Sequence, residues 1–283
     1  MQKFMVLVAA AFVMMACSKE EAATIDNVQY VTELKATLGG GDETRMVYTH
    51  DPSKGLSFAW EDGDVLKLFQ ADDPTVWPKS YEYKSSTKKF HVIGTDAMEA
   101  GKQYFAAPHQ LKTSTPYFDI VDGKPVLDLY LDAAKTVADI PLISDVFTAT
   151  TDGTIATMHH TVGVVEIPVK VTADSQFKSL MNNGFRNDVE IISGQYTVTA
   201  APPYFVEAAG TGGNRTAMAN EGKELSTTTA TSFFVPMLPG VYTNCTLNYV
   251  YLQYQANDPF YINSVKVVCG KITKLDEITL ELN

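Results

Sequence analysis

From Val28 onward the chain is a succession of short runs rich in β-branched and aromatic residues, each closed after a few positions by Gly, Pro, Asn or Asp. Apolar residues almost never recur at the three-to-four spacing of a helix. Repeated short strands at this spacing specify an all-β chain, expected as two β-sandwich domains in tandem. The clearest run is Val28–Leu38. It places Val28, Tyr30, Leu34, Ala36 and Leu38 on one face and Gln29, Glu33, Lys35 and Thr37 on the other, the pattern of a half-buried strand.

Further strands are expected at Leu56–Trp60, Val65–Phe69, Tyr81–Tyr83, Phe90–Ile93, Gln103–Ala107, Val126–Leu131, Thr161–Val171, Asp188–Ile192, Gln195–Thr199, Ser232–Val235, Leu247–Gln253, Tyr261–Val268 and Ile278–Leu282. Glu61–Asp64 reads as a turn and Lys84–Lys89 as a polar hairpin loop. A short helix is expected over Ser175–Asn182. Gly210–Arg215 reads as a loop; it lacks the GK[ST] of a phosphate cradle. The polar stretch around Thr148–Thr154 suggests domains over residues 28–152 and 153–283, each of ordinary sandwich size.

The first residues speak to location. Lys3 precedes an unbroken apolar run from Phe4 to Met15, too short to span a bilayer and suited to a signal peptide. Met14-Met15-Ala16-Cys17 resembles a bacterial lipobox, so residues 1–16 read as a lipoprotein signal peptide, Cys17 as the lipidation site and residues 17–27 as a tether. Ser18-Lys19-Glu20-Glu21 resembles the surface-export signal of lipoproteins in Gram-negative anaerobes. The expected location is the outer membrane, facing outward and held by acyl chains on Cys17. The formal net charge of −11 argues against nucleic acid as a partner.

Phe58-Ala-Trp60-Glu-Asp-Gly63-Asp64-Val-Leu-Lys-Leu-Phe69 resembles the "W-x-x-G-D then apolar strand" signature of the fimbrillin family, the type V pilins. Tyr104-Phe-Ala-Ala-Pro108, Met158-His-His160 with its following apolar strand, Leu238-Pro239-Gly240 and the closing strands from Gly270 are similar to further family segments in the same order. His109 stands where the family commonly has an aromatic residue. The resemblance implies a transthyretin-like sandwich architecture and a precursor cut after a basic residue near the N-terminus. The freed first strand then leaves a groove that a strand of the next pilin subunit fills, which is β-strand addition. Val28–Leu38 is the candidate displaced strand and Arg45, after Gly39-Gly-Gly, the candidate processing site; an ordinary turn arginine is the alternative. Ile278, Leu280 and Leu282 share one face, as either a donor strand or the last strand of their own sheet.

Asn257-Asp258-Pro259 is a turn signal, and a hairpin folded about Asn257 sets Cys245 opposite Cys269. In an oxidising compartment the two could form a disulfide worth about 3 kcal/mol; two separate buried thiols are the alternative. Catalytic, cofactor and metal sites are not expected. His159 and His160 are neighbours on a strand and point to opposite faces, Asp62 and Asp64 fit a hairpin turn, and hydrolase and nucleotide motifs do not occur. The resemblance implies a pilus subunit or an accessory adhesin; a permanently anchored polysaccharide-binding lipoprotein, meeting a glycan or host-surface ligand, is the other functional reading. Trp77, Tyr117, Tyr204, Tyr251 and Tyr254 are its candidate stacking residues.

Overall fold

The computed structural model describes residues 28–38, 49–51, 55–57, 60–108, 114–131, 140–172, 179–187, 190–191, 193–214, 216–219, 223–251 and 260–280. All regular structure among the described residues is strand, so the chain is all-β. The largest sheet has eight strands, in the order β12 (Leu142–Ser144), β14 (Thr154–His160), β2 (Glu33–Leu38), β7 (Lys89–Val92), β6 (Lys79–Lys84), β5 (Val65–Gln70), β9 (Gln103–Ala107) and β13 (Phe147–Thr148). Only the β14–β2 pair in this sheet is parallel. Its end strands β12 and β13 are separated by just Asp145 and Val146, and the Ala106 N–H on β9 donates to Ser144 Oγ at 2.7 Å. The sheet therefore curls until its ends meet. It encloses Leu34, Trp60, Leu66, Leu68, Tyr81, Phe90, Tyr104, Ala156 and Met158. Two small pairs accompany it, β1 (Tyr30–Val31) with β8 (Met98–Glu99) and β3 (Thr49–Asp51) with β4 (Gly55–Ser57).

The W-x-x-G-D segment closes one corner of this core. Trp60 is buried and meets Phe90 edge-on, with ring centroids 4.9 Å apart. The next four residues turn tightly: the Glu61 N–H donates to Asp64 Oδ2 at 2.7 Å, and the Asp64 N–H returns to the Glu61 carbonyl at 3.1 Å. Gly63 sits at φ +96°, a conformation that only glycine takes without strain. Asp62 accepts from both the N–H and the hydroxyl of Ser85, which pins the neighbouring hairpin turn to this one and holds the carboxyl below its usual pKa.

Three further sheets lie among the described residues. One runs β10 (Asp119–Val121), β11 (Lys124–Leu131), β17 (Ser193–Thr199), β18 (Phe205–Asn214). The next runs β21 (Thr231–Met237), β15 (Gly163–Val171), β24 (Ile272–Lys274), with β25 (Ile278–Leu280) further along β15. The last runs β19 (Thr216–Ala219), β16 (Ser179–Arg186), β22 (Gly240–Tyr251), β23 (Phe260–Val267), with β20 (Lys223–Glu224) also on β16. The last two sheets pack as a sandwich over Val165, Ile167, Val169, Phe233, Val235, Leu247 and Val265. A third core lies between the outer side of the curled sheet (Phe69, Phe105), the β11–β17 sheet (Leu127, Leu129, Tyr196) and the back of β15 and β21 (Val164, Phe234). Because β15 is covered on both sides, its sequence is a near-continuous apolar run.

Four sequence expectations change. The division at 152/153 is not a sheet boundary: β14 stays in the first sheet beside β2, while β11 pairs with β17 over six residues. The polar stretch before it is a hairpin turn, with Thr150 and Thr154 bonded to each other and Gly153 at φ +130°. A turn and a domain linker call for the same residues, so composition does not separate them. Of the expected helix, residues 175–178 lie outside the described residues and Ser179–Arg186 is a strand, held by β22 on one side and by β19 and β20 on the other. The glycine-rich stretch expected as a loop is, through Asn214, the end of β18; Gly213 lies opposite Gly194, where neither brings a Cβ. In the expected strand 188–192, Glu190 and Ile191 are not strand. Asn187 makes a turn there, its side-chain oxygen accepting from the Glu190 N–H at 2.7 Å while its amide nitrogen donates to the Thr243 carbonyl.

Candidate functional site

The strand singled out by its alternation, β2, is a stave of the curled sheet. It pairs with β14 from Leu34 to Leu38 but with β7 only at Glu33–His91 and Leu34–Phe90. Leu34 is its deepest point at 1% exposure, and Ala36 and Leu38 are half-buried. Val28 and Tyr30 do not share that face: they are 46% and 56% exposed, and Val31 is buried instead. The cause is a change of partner. Tyr30–Val31 pair with β8, the strand breaks at Thr32, and the new pairing to β7 and β14 resumes on the opposite parity.

Polar contacts hold the strand at its start. The Tyr81 hydroxyl donates to the Val31 carbonyl and accepts from the Met98 N–H at 2.9 Å, and burial pushes this phenol up to about 12. The Ala100 N–H donates to the Gln29 carbonyl and the Val92 N–H to the Thr32 carbonyl. Glu33 is ion-paired with Lys89, whose hydrogen bond holds the carboxyl below its usual pKa; His91 Nδ1 lies 4.0 Å from it. An open cleft of about 350 Å³ lies along this end of the parallel pair, lined by Glu33, Lys35, Lys89, Asp152, Thr154 and Ile155. Cys17 and Arg45 lie outside the described residues.

At the other end of the chain, Ile278–Leu280 runs parallel to Val169–Val171, as the edge strand of its own sheet. Ile278 is buried in the second sandwich, and Glu277 just before it is ion-paired with Lys170. The side chain of Leu280 and all of Leu282 lie outside the described residues.

The expected Cys245–Cys269 pairing is not formed. The β22–β23 register sets Cys245 opposite Ile262, seven residues short of Cys269; the expected turn at Asn257 lies outside the described residues. Both cysteines are free thiols. Cys245 is buried beside Asn187, and Cys269 donates to the His160 carbonyl at 2.7 Å. Burial raises both pKa values, that of Cys269 to about 11.

Among the stacking candidates, Trp77 is 60% exposed and meets the buried Tyr117 edge-on at 5.4 Å. Tyr254 and the Tyr251 side chain lie outside the described residues. Tyr204 is engaged elsewhere, in a cluster that sequence reasoning did not find. Its hydroxyl is 2.9 Å from Asp145 Oδ1 and 3.0 Å from His159 Nε2, which is itself 3.0 Å from Asp145 Oδ2. The Tyr204 and His159 rings stack at 4.0 Å. Burial and the Asp145 carboxylate together drive the Tyr204 phenol well above its ordinary pKa. The three residues come from separate segments with no common motif, so only the folded chain brings them together.

No family model matches this chain, and no curated protein matches it in sequence. Solved structures do match in fold. A protein from Bacteroides ovatus and another from Bacteroides uniformis, both named "putative cell adhesion protein", align over 89% and 88% of this chain and 93% of each of theirs. Their identities are 11% and 12%, with TM-scores of 0.59 and 0.49. The chain thus shares the all-β fold of the Bacteroides ovatus protein across nearly its whole length.

Proposed function

We propose that this chain is a fimbrillin-like surface subunit that assembles by β-strand addition. It is delivered to the outer membrane as a lipoprotein on Cys17, processed after Arg45, and joined to another subunit through the slot that β2 vacates. The observation that carries this reading is a correspondence between the two ends of the chain. Glu33-Leu34-Lys35-Ala36-Thr37-Leu38 and Glu277-Ile278-Thr279-Leu280-Glu281-Leu282 share one pattern: acid, apolar, polar, apolar, polar, leucine. In each, the glutamate is ion-paired with a lysine of the neighbouring structure and the next aliphatic side chain is buried. Each segment also runs parallel to one neighbouring strand, β2 to β14 and β25 to β15, while β2 is antiparallel to β7 on its other side. A second copy's C-terminal segment therefore has the charge and side-chain order that the β2 slot accepts.

Strand addition draws affinity from backbone hydrogen bonds and register from alternate side chains in pockets. In the slot, the Leu34 position fixes register and Lys89 selects an acidic residue before it. Mass spectrometry of the N-terminus of native surface material tests the reading. A mature chain starting at Met46 is expected; one that still starts at lipidated Cys17 overturns it.

The braced, exposed indole of Trp77 favours a second reading, a permanently anchored glycan binder whose aromatic face stacks on a sugar ring. Retarded migration of the intact protein in polysaccharide gels, abolished in Trp77→Ala, would select it.

A further inference from the structure

We propose that Asp145, His159 and Tyr204 form a latch that keeps β14 in place when β2 leaves its slot, with Tyr204 as the positioning residue. The inference rests on the strand-addition reading above. β14 has two neighbours in its sheet, β2 and β12. Without β2, its Thr154–Thr157 portion has no strand partner among the described residues, and the pairing to β12 covers only Met158, His159 and His160. A β14 free to swing would close the slot, or pair with a wrong strand, before a donor arrived.

The cluster sits at that remaining strand pairing. His159 is next to the last residue of β14, and Asp145 follows β12 directly. The Asp145 N–H also donates to the Thr157 carbonyl at 3.1 Å, which ties the β12 corner to β14 by backbone as well as side chain. Tyr204 comes from the connection between β17 and β18, in a sheet to which β2 does not belong. Its carboxylate and imidazole contacts therefore fasten β14 to a support whose position does not depend on β2.

Tyr204 is itself firmly set. It lies at φ +62°, a left-handed conformation that a bulky side chain takes only when its surroundings impose it. Its N–H donates to the Ala201 carbonyl at 2.9 Å and its carbonyl accepts from the Thr199 N–H at 2.8 Å. With the ring stacked on His159 and the hydroxyl on Asp145, the carboxylate accepts from both partners and each donor is used.

Native-state hydrogen exchange on the full-length chain tests this directly. In the wild type, β2 amides should exchange faster than the β14 amides in the stretch paired with β12, Met158–His160, because that stretch stays docked when β2 opens. In Tyr204→Phe, which keeps the stacked ring, the Met158–His160 amides of β14 should exchange about tenfold faster and approach the β2 rate, as expected for losing one hydrogen bond to a charged group. Amides of β15 and β21 should not change. Asp145→Asn, which preserves shape, should give the same selective loss. Unchanged β14 protection in both variants overturns the latch, and so does an equal loss across all sheets, which would mean only a general drop in stability. The strand-addition reading is scored separately. Wild-type β2 amides that open only with the slowest core amides would sink it, whatever the β14 contrast shows.

Discussion

Glu33 on β2 and Lys89 on β7 are ion-paired one residue from the point where Leu34 is sealed opposite Phe90. The charged pair thus lies at the mouth of the slot and the apolar anchor just inside it. The pair is partly exposed, so its net contribution is modest. Its pH dependence has a definite sign. The folded carboxyl has a pKa below its unfolded value, so the stabilisation is present above the unfolded pKa of about 4.5 and fades as pH falls through the folded one. Thermal melts of Glu33→Gln should show a small loss at pH 7 that disappears in strong acid. A loss that persists at pH 2 would assign the effect to packing.

Leu34 should be the energetic centre of the displaced strand. Its side chain is fully enclosed, and truncation to alanine should cost about 2–5 kcal/mol in urea unfolding. The same substitution at the exposed Tyr30 should cost far less. Equal costs would mean that the strand is not anchored through Leu34.

Tyr81→Phe removes one hydroxyl that serves two backbone groups, the Val31 carbonyl and the Met98 N–H. Both are left without that partner in a buried setting, so a loss of about 1–3 kcal/mol is expected. Proteolysis before β2 should also accelerate, because this contact holds the start of the strand.

His160 governs the acid limb. Burial, helped by the neighbouring His159, depresses its pKa to about 4. With the folded pKa below the unfolded value of 6.5, the unfolded chain takes up the proton first, and stability should fall as pH drops from about 6.5 toward 4. His160→Asn should flatten that part of the urea-midpoint profile. A profile as steep as wild type would show that another group is responsible.

Gly163 opens β15 where the end of β23 and the residue after it pass close. A Cβ there would lie 2.5 Å from Val267 Cγ1 and 2.6 Å from the Val268 carbonyl oxygen. Gly163→Ala should cost about 1–3 kcal/mol by overpacking, measured by chemical denaturation.

Much of the local structure is legible in the residues. The Glu61–Asp64 turn, the hairpin around Lys84–Lys89, the Gln103–Ala107 strand and the long apolar β15 are each written in a few neighbouring positions, because turn chemistry and period-two burial are local constraints. The face of Val28 and Tyr30 was not legible, since a change of partner at Thr32 resets parity without altering the pattern of residue types. Nor was the register of Cys245, which depends on where a hairpin turns rather than on which residues flank it.

The sequence by itself determined that the chain is all-β, where several of its strands lie, and that its two ends carry the same acid–apolar pattern. Only the tertiary structure decided which strands became neighbours: that β14 crosses the expected domain boundary to lie beside β2, and that Asp145, His159 and Tyr204 meet at one corner. The reason is physical. A strand's alternation fixes how it is buried, but its backbone hydrogen bonds pair equally well with any strand, so partner choice is settled by how the faces pack together.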